Sequence, residues 1–194
     1  MAVGRQTKLS IVIPVLNEGR TLETSLQALQ NLRGGCELIL VDGGSHDDSP
    51  ARALPYVDQV IYAGPGRARQ MNAGAACAQG AYLLFLHADT SLPNDVLRRV
   101  EGWTRSSVSW GFFPLRLSGS HWMLRCVETS INWRSRLSAV STGDQCLFVA
   151  RPLFETLGGF PDLPLMEDVA FTKMLRTQSK PCFQDKVVVS SSRR

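Results

Sequence analysis

The feature that most constrains the fold is a run of six apolar and aromatic residues at positions 81–86 (AYLLFL). The run is too short to cross a membrane, and it is typical of a strand buried on both faces of a parallel sheet between helices. His87 and Asp89 follow it, separated by one residue. Open α/β sheets bind ligands at the carboxyl ends of their strands, where positions i and i+2 point to the same side. The run therefore predicts a central strand with two polar groups facing one ligand.

A second interpretation of these residues needs no ligand. Asp89 and Thr90 are also residue types that cap helices, and the segment 91–93 (SLP) suits a turn that leads into a helix. Taken alone, the stretch fits a binding site and a turn equally well.

Composition narrows the class of protein. The chain has 194 residues, 44% hydrophobic and 20% charged, as in soluble globular proteins of one domain. We recognise no signal peptide and no apolar segment of the roughly 18 residues that a spanning helix needs. The five cysteines are widely spaced, which favours reduced thiols in the cytoplasm over disulfides or a zinc site. A net charge of +4 favours anionic ligands or peripheral membrane contact, and is too small to indicate nucleic acid.

Strands alternate with helical segments through the first half of the chain, at 9–13, 36–41, 57–62 and 81–86. This alternation indicates βαβ units and a mostly parallel central sheet flanked by helices. In the second half, the alternating pattern at 113–117 predicts an antiparallel or edge strand, and residues 122–133 predict a longer helix. We expect one domain over residues 1–194, with halves at about 1–105 and about 106–194. The four tryptophans are expected in the core.

Polar residues follow three of the predicted parallel strands. Asn17 and Glu18 come after the first strand, Asp42 after the second and Asp89 after the fourth. Each alone is more typical of a turn or a helix cap, but the three positions would converge above the sheet. Carboxylates and amides can bind ribose hydroxyls and base N–H groups, and a carboxylate can hold Mg²⁺ or Mn²⁺ together with substrate phosphates. The set predicts a nucleotide site.

A loop with two arginines follows the third strand. Its sequence GPGR (64–67) begins like a dinucleotide-binding fingerprint, but it lacks the third glycine and follows the wrong strand, so we reject that interpretation. The glycines allow close backbone approach, and Arg67 and Arg69 carry guanidinium groups suited to phosphate. A solvated basic turn explains either arginine equally well.

Two acids, Glu167 and Asp168, lie at a predicted helix start. The helix dipole favours acids there without any catalysis. The preceding segment 163–166 (LPLM) is apolar, however, and a carboxylate that projects from such a loop is suited to act as a general base.

Five segments, taken in order, resemble the family 2 glycosyltransferases, which have the GT-A fold, a Rossmann-like nucleotide-diphospho-sugar transferase fold. They are SIVIPVLNE (10–18), VDGGS (41–45), FLHAD (85–89), GGF (158–160) and ED (167–168). The ordered set covers nearly the whole chain and is highly specific. RARQMN (67–72), together with HAD (87–89), most resembles the short branch of arsenosugar-biosynthesis glycosyltransferases.

The resemblance implies an inverting transfer from a nucleoside diphosphate sugar to a hydroxyl of a small-molecule or lipid acceptor, assisted by Mg²⁺ or Mn²⁺. The residues it places at the donor are Pro14, Val15, Asn17, Glu18, Asp42, Arg67, Arg69, Asn72, His87, Ala88 and Asp89. Asp89 would also bind the metal. Asp168 would be the catalytic base, with Glu167 as its rival for that role.

The chain departs from the family pattern in two places. The family's metal motif is Asp-x-Asp, and here His87 stands first. His87 either keeps the ribose contact that the first acid commonly makes in that family, with the metal on Asp89 alone, or replaces a metal ligand. Many relatives also continue beyond the position of Arg194, so part of the acceptor side is expected to be missing. Two rival functions are a non-catalytic nucleotide-sugar-binding module and a sugar-phosphate nucleotidyltransferase. The second would need a glycine-rich basic loop after the first strand, which residues 14–19 do not form.

Overall fold

The computed structural model describes residues 8–19 and 21–192. Strands and helices alternate through the first half, as the sequence predicts. The elements there are β1 Leu9–Val15, α1 Leu22–Ala28, β2 Cys36–Asp42, α2 Ser49–Ala53, β3 Gln59–Tyr62, α3 Arg67–Cys77, β4 Tyr82–Phe85, β5 Thr90–Ser91 and α4 Val96–Arg105. The second half contains β6 Trp110–Phe112, β7 Leu115–Leu117, α5 Trp122–Ser138, β8 Phe148–Ala150, α6 Arg151–Thr156, α7 Glu167–Gln178, β9 Cys182–Phe183 and β10 Val188–Ser190. Short 3-10 turns lie at Gln30–Leu32 and Gly143–Gln145.

In the described residues, seven strands form the central sheet in the order β3-β2-β1-β4-β8-β6-β9. The first four pair in parallel, β8 runs antiparallel to both of its neighbours, and β6 pairs in parallel with β9. The predicted α/β architecture with a mostly parallel sheet is therefore confirmed. Because β2, β1 and β4 are parallel neighbours, the segments that follow them emerge at the same edge of the sheet.

Two apolar layers cover the faces of this sheet. In β1, Ile11 and Ile13 belong to one layer and Val12 to the other, which follows from the alternation of side chains along a strand. All four residues of β4 are buried, and they too divide between the two layers. The apolar run that opened the sequence analysis is thus a strand buried on both faces.

The predicted strand at 113–117 is interrupted. Pro114, which has no N–H to donate, separates β6 of the central sheet from β7. β7 lies at one edge of a second sheet, ordered β5-β10-β7, and pairs in parallel with β10. The prediction of an edge strand is right for β7, and the antiparallel alternative is wrong.

The four tryptophans divide into two pairs. Trp110 is fully buried, and buried Trp103 stacks on Phe148 with ring centroids 3.7 Å apart. Trp122 and Trp133 lie on α5 and are exposed, so the prediction that all four belong to the core is wrong for these two. Their helix packs on the rest of the protein through its other side. In the described part of the chain, no helix is long and apolar enough to cross a membrane.

Candidate active site

The segments at the carboxyl ends of β1 and β4 border a cleft of about 740 Å³. Its walls also include the start of α3, the turn at 142–144 and the segment 164–168. The lining residues are Pro14, Val15, Leu16, Glu18, Gly66, Arg67, Gln70, His87, Ala88, Thr142, Gly143, Asp144, Pro164, Leu165, Met166, Glu167 and Asp168. Eight of the predicted site residues are among them: Pro14, Val15, Glu18, Arg67, His87, Ala88, Glu167 and Asp168. The predicted residues Asn17, Asp42, Arg69, Asn72 and Asp89 lie outside this lining.

Asn17 shapes the turn after β1. Its backbone is left-handed (φ 56°), a conformation in which Asn is enriched. Its N–H donates to Ser45 Oγ at 2.9 Å, and its Oδ1 accepts the N–H of His46 at 2.8 Å. The next N–H, that of Glu18, donates to Ser49 Oγ at 3.0 Å. These bonds fix the turn that brings Glu18 to the cleft.

Asp42 organises the turn after β2. Its side chain is buried, and its Oδ2 accepts the N–H groups of Gly44 at 3.0 Å and Ser45 at 2.9 Å. The Ser45 hydroxyl donates to the other carboxylate oxygen, Oδ1. Both carboxylate oxygens of Asp42 are therefore used within the turn.

Gln70 is a lining residue that the sequence analysis did not single out. It is buried, and its Nε2 donates to the carbonyl oxygens of Val15 and Val41, each at 2.8 Å. A Cβ on Gly43 would meet the Gln70 amide at 2.9 Å, so a glycine at that position allows the close approach. Gln70 thus joins the ends of β1 and β2. Its position in the motif at 67–72, on the buried side of α3, was the available signal.

The three other polar residues of that motif have different surroundings. Arg67 lines the cleft at the start of α3. Arg69 instead makes an exposed ion pair with Asp162 (Nη2–Oδ2 2.9 Å), and this hydrogen-bonded partner raises the pKa of the guanidinium. Asn72 donates to the carbonyl oxygen of Phe160 at 2.8 Å and accepts its N–H at 2.9 Å. Arg69 and Asn72 therefore anchor the segment that leads to the apolar wall at 164–166.

His87 is buried at the base of the cleft. Its Nδ1 lies 2.9 Å from Oδ1 of Asp144, whose side chain is partly exposed. The ring also packs against Gly143, where an added Cβ would lie 2.6 Å from both Cε1 and Nε2. The sequence analysis did not single out Asp144, because its partner His87 is 57 positions away in the chain.

Asp168 meets the same turn from the other side. Its Oδ2 accepts the N–H of Gly143, and its Oδ1 accepts the N–H of Val169 at 2.7 Å. Glu167 is buried beside it at the start of α7. The preceding residue, Met166, has a left-handed backbone (φ 64°) that is uncommon for its type. Gly143 thus lies between the two predicted halves of the site, touching His87 and Asp168.

The charge of the lining is mainly negative. Among the residues that the structure describes, the lining contains four carboxylates, at Glu18, Asp144, Glu167 and Asp168, and one guanidinium, Arg67. An anionic ligand would meet repulsion from the carboxylates unless a cation accompanied it.

A metal ion would need ligands from its substrate. Among the residues that the structure describes, no cluster of three or more His, Cys, Asp or Glu side chains is arranged to hold one. The predicted ligand Asp89 is half-buried, and the Thr90 hydroxyl lies 3.5 Å from its Oδ1. Mg²⁺ is commonly held by one or two carboxylates together with substrate phosphates and water. Asp89 is one such carboxylate and lies outside the lining of the cleft, so a cation that it held would take its other ligands from the diphosphate and water.

Residues 10–125, more than half of the chain, match the sequence profile of glycosyl transferase family 2. The chain belongs to this family.

Known proteins resemble it over most of its length. A PGL/p-HBAD biosynthesis glycosyltransferase of Mycobacterium tuberculosis is 30% identical over 170 residues, covering 78% of this chain and 62% of the relative. The mannosyltransferase PcManGT from Pyrobaculum calidifontis, solved with GDP-Man and Mn²⁺, has a TM-score of 0.72 at 20% identity and covers 94% of this chain and 56% of its own. S. aureus TarS 1-349 with UDP-GlcNAc has a TM-score of 0.77 at 16% identity, over 96% and 59% of the two chains. The predicted GT-A fold is confirmed. This chain spans less than two thirds of the length of these relatives.

Proposed function

We propose that this protein transfers a sugar from a nucleoside diphosphate sugar to an acceptor hydroxyl, with inversion at the anomeric carbon. One observation carries the proposal: Asp168 shares a cleft with Arg67 and His87 and is joined to the His87 side through Gly143. A proton acceptor and a diphosphate-binding surface thereby face the same space. Membership of glycosyl transferase family 2 supports this assignment.

The donor fits the strand-end side of the cleft. A volume of about 740 Å³ suits a nucleotide sugar, because ligand pockets commonly measure roughly 300–1,000 Å³. Arg67 would bind the diphosphate, and Pro14, Val15 and Ala88 would pack against the nucleoside. Asn17 and Asp42 would act on the donor through the turns that they hold.

The acceptor fits the side formed by 164–168. Asp168 would take the proton of the acceptor hydroxyl while that oxygen forms a bond to the anomeric carbon. The bond from this carbon to the diphosphate breaks, and its electron pair leaves with the diphosphate. A single displacement on the face opposite the leaving group inverts the configuration. Pro164, Leu165 and Met166 would limit access of water to this step.

Asp89 would hold Mg²⁺ or Mn²⁺ together with the diphosphate. When bound, the cation would supply positive charge to the departing diphosphate. The carboxylates of the described lining, at Glu18, Asp144, Glu167 and Asp168, support this requirement, because they would repel a diphosphate that came without a cation. The Mn²⁺ in the PcManGT complex agrees with it.

We further assign residues 1–194 to one GT-A domain, with the donor half at about 1–105 and the acceptor half at about 106–194. All five cysteines are free, which supports a cytoplasmic site. The motifs at 67–72 and 87–89 support the arsenosugar-biosynthesis branch, and the acceptor is a small molecule or a lipid.

The test is a two-stage assay on the purified protein. Thermal shift against a panel of nucleotide sugars with Mn²⁺ selects the donor, and release of the nucleoside diphosphate in the presence of candidate acceptors then measures transfer. NMR of the product gives its anomeric configuration. We expect the configuration opposite to the donor's. Retention would overturn the single displacement, and donor binding without turnover on any acceptor would instead support the non-catalytic module.

A further inference from the structure

Helix α5 carries an apolar stripe on its solvent side. Trp122, Cys126, Trp133 and Leu137 are spaced so that they lie on one face of the helix, and we call them the α5 stripe. Trp122 is 68% exposed, Trp133 65% and Leu137 75%. Met123 and Val127 extend the exposed apolar surface beside it. The stripe runs almost the full length of the helix, about 25 Å.

The opposite side of the helix fixes it to the protein, through hydrogen bonds and through Ile131, which packs against the core. Asn132 Oδ1 accepts the N–H of Leu115 and its Nδ2 donates to the carbonyl of the same residue, both at 2.8 Å. Ser135, the buried residue of the helix, donates to Gln145 Oε1 at 2.8 Å. A surface helix usually turns its apolar face to the core. The inward hydrogen bonds of α5 hold it in the opposite orientation, so the stripe cannot turn inward without breaking them.

The charges around the stripe favour an anionic partner. Helix α5 carries three arginines and one glutamate, a net charge of +2. The glutamate, Glu128, faces inward, where it pairs with Arg125 at 2.9 Å and accepts the N–H of Leu117 at 2.8 Å. Arg134 and Arg136 are exposed. The solvent side of α5 therefore combines apolar side chains with positive charge and has no carboxylate.

We propose that the α5 stripe docks this protein on an anionic lipid surface. Interfacial helices have this composition, with Trp and Leu entering the boundary between headgroups and acyl chains while arginines contact anionic lipids. A second copy of the chain fits less well, because two facing stripes would bring together two surfaces that carry positive charge and no carboxylate. The chain as a whole also carries a charge of +4.

Docking through α5 would place the cleft close to the lipid surface. Only four residues separate Leu137 from Thr142, which lines the cleft, and Ser135 contacts the residue that follows Asp144. The proposal needs no particular acceptor, so vesicle binding and transfer can succeed or fail separately.

The first experiment is sedimentation of the full chain with vesicles. We expect binding to vesicles of phosphatidylcholine mixed with phosphatidylglycerol, weaker binding as salt increases, and little binding to phosphatidylcholine alone. Each change, Trp122→Ser or Trp133→Ser, should weaken partitioning about tenfold. Leu54→Ser is the matched control, because Leu54 is 64% exposed and lies outside α5.

A charge comparison tests the arginines. Arg134→Glu and Arg98→Glu change the net charge equally, and both side chains are exposed. We expect only Arg134→Glu to reduce binding strongly. Equal losses would show that the overall charge, and not the stripe, attracts the vesicle, which overturns the proposal.

Two exposed cysteines allow a site-specific measurement. Cys126 belongs to the stripe, and Cys77 ends α3. Two samples are prepared, both with Cys182→Ser. One also carries Cys77→Ser and has an environment-sensitive dye on Cys126. The other carries Cys126→Ser and has the dye on Cys77. Anionic vesicles should shift the emission of the Cys126 dye to the blue and leave the Cys77 dye unchanged. If the emission of the Cys126 dye does not shift, the proposal is overturned and the stripe is a contact surface for protein. Light scattering then shows whether that protein is a second copy of the chain, which would appear as a dimer.

Discussion

Nδ1 of His87 and Oδ1 of Asp144 lie 2.9 Å apart, although 57 positions separate the two residues in the chain. The pair joins the end of β4 to the turn at 142–144. Gly143 of the same turn donates its N–H to Asp168. Through these contacts, we expect His87 to help position the proposed base.

Asp144→Ala should therefore lower turnover. The change removes the partner of His87 and loosens the turn that holds Asp168. Because Asp144 would position the base without being the base, we expect roughly a 10-fold fall in kcat at saturating donor, smaller than the ~10²–10⁴ expected for loss of the base itself. Asp185→Ala is the control, because Asp185 is exposed and pairs with Arg99 outside the cleft. A wild-type kcat for Asp144→Ala would show that the pair does not position the base.

Asp168→Asn should leave donor affinity unchanged and reduce transfer by about 10²–10⁴, the usual range for a lost acid–base group. An asparagine can accept only one of the two N–H groups that Asp168 now accepts, so we also expect a modest fall in Tm. Glu167→Gln, assayed on the same acceptor, is the comparison. If Glu167→Gln is the more damaging change and Asp168→Asn stays active, Glu167 is the base.

Arg67→Ala and Arg69→Ala should separate phosphate binding from loop anchoring. Arg67 lines the cleft, so its loss should weaken nucleoside diphosphate binding by roughly 10- to 150-fold and nucleoside binding much less. Arg69 pairs with Asp162, so its loss should affect both ligands slightly and equally. Titration calorimetry with the two ligands measures the difference. Matching losses for both ligands in Arg67→Ala would assign that residue to the fold.

Mn²⁺ should raise the affinity for a nucleoside diphosphate, because the lining is rich in carboxylates and Asp89 needs phosphate oxygens to complete a metal site. Asp89→Asn should remove this effect without unfolding the protein. The measurement is calorimetry in Mn²⁺ and in chelator, with circular dichroism as the check on folding. Equal affinities in wild-type protein would contradict metal-assisted binding.

The burial of Cys36 and Cys146 should affect both thiol reactivity and the pH dependence of stability. Burial raises the pKa of Cys36 to about 12 and that of Cys146 well above the ordinary value. At about pH 8, Cys77 and Cys126 should react with a thiol reagent long before these two. Unfolded chain ionises Cys36 near pH 9, while the folded protein keeps it neutral to about 12, so the free energy of unfolding should fall as pH rises through this interval. Peptide mapping and denaturant titrations check the two expectations, and fast labelling of Cys146 in native protein would contradict the first.

The sequence predicts the strands of the first half because their apolar patterns are local. β1, β2 and β4 are mostly apolar, and the helical segments between them predict that these strands run parallel. The convergence of Glu18, Arg67 and His87 on one cleft follows from that order.

Local sequence patterns do not predict contacts between distant segments of the chain. Arg69 carries a guanidinium group suited to phosphate. Its side chain pairs instead with Asp162, which lies 93 positions later in the chain. Asn72 likewise donates to the carbonyl oxygen of Phe160, and Gln70 donates to carbonyl oxygens at the ends of two strands. The exposure of Trp122 could not be predicted, because an apolar residue predicts burial. In the structure the opposite side of α5 faces the protein.

Gly143 has a backbone that other residues could adopt, but there is no room beside it: an added Cβ would lie 2.6 Å from the His87 ring and 3.3 Å from Asp168 Oδ2. At this point His87 and Asp168 are thus joined through a single residue. Substitution of this glycine would disturb the proposed donor side and the proposed acceptor side together. We therefore expect sequence divergence that alters acceptor choice alone to occur elsewhere, and the segment 164–166 offers a wall of the cleft that can vary without moving His87.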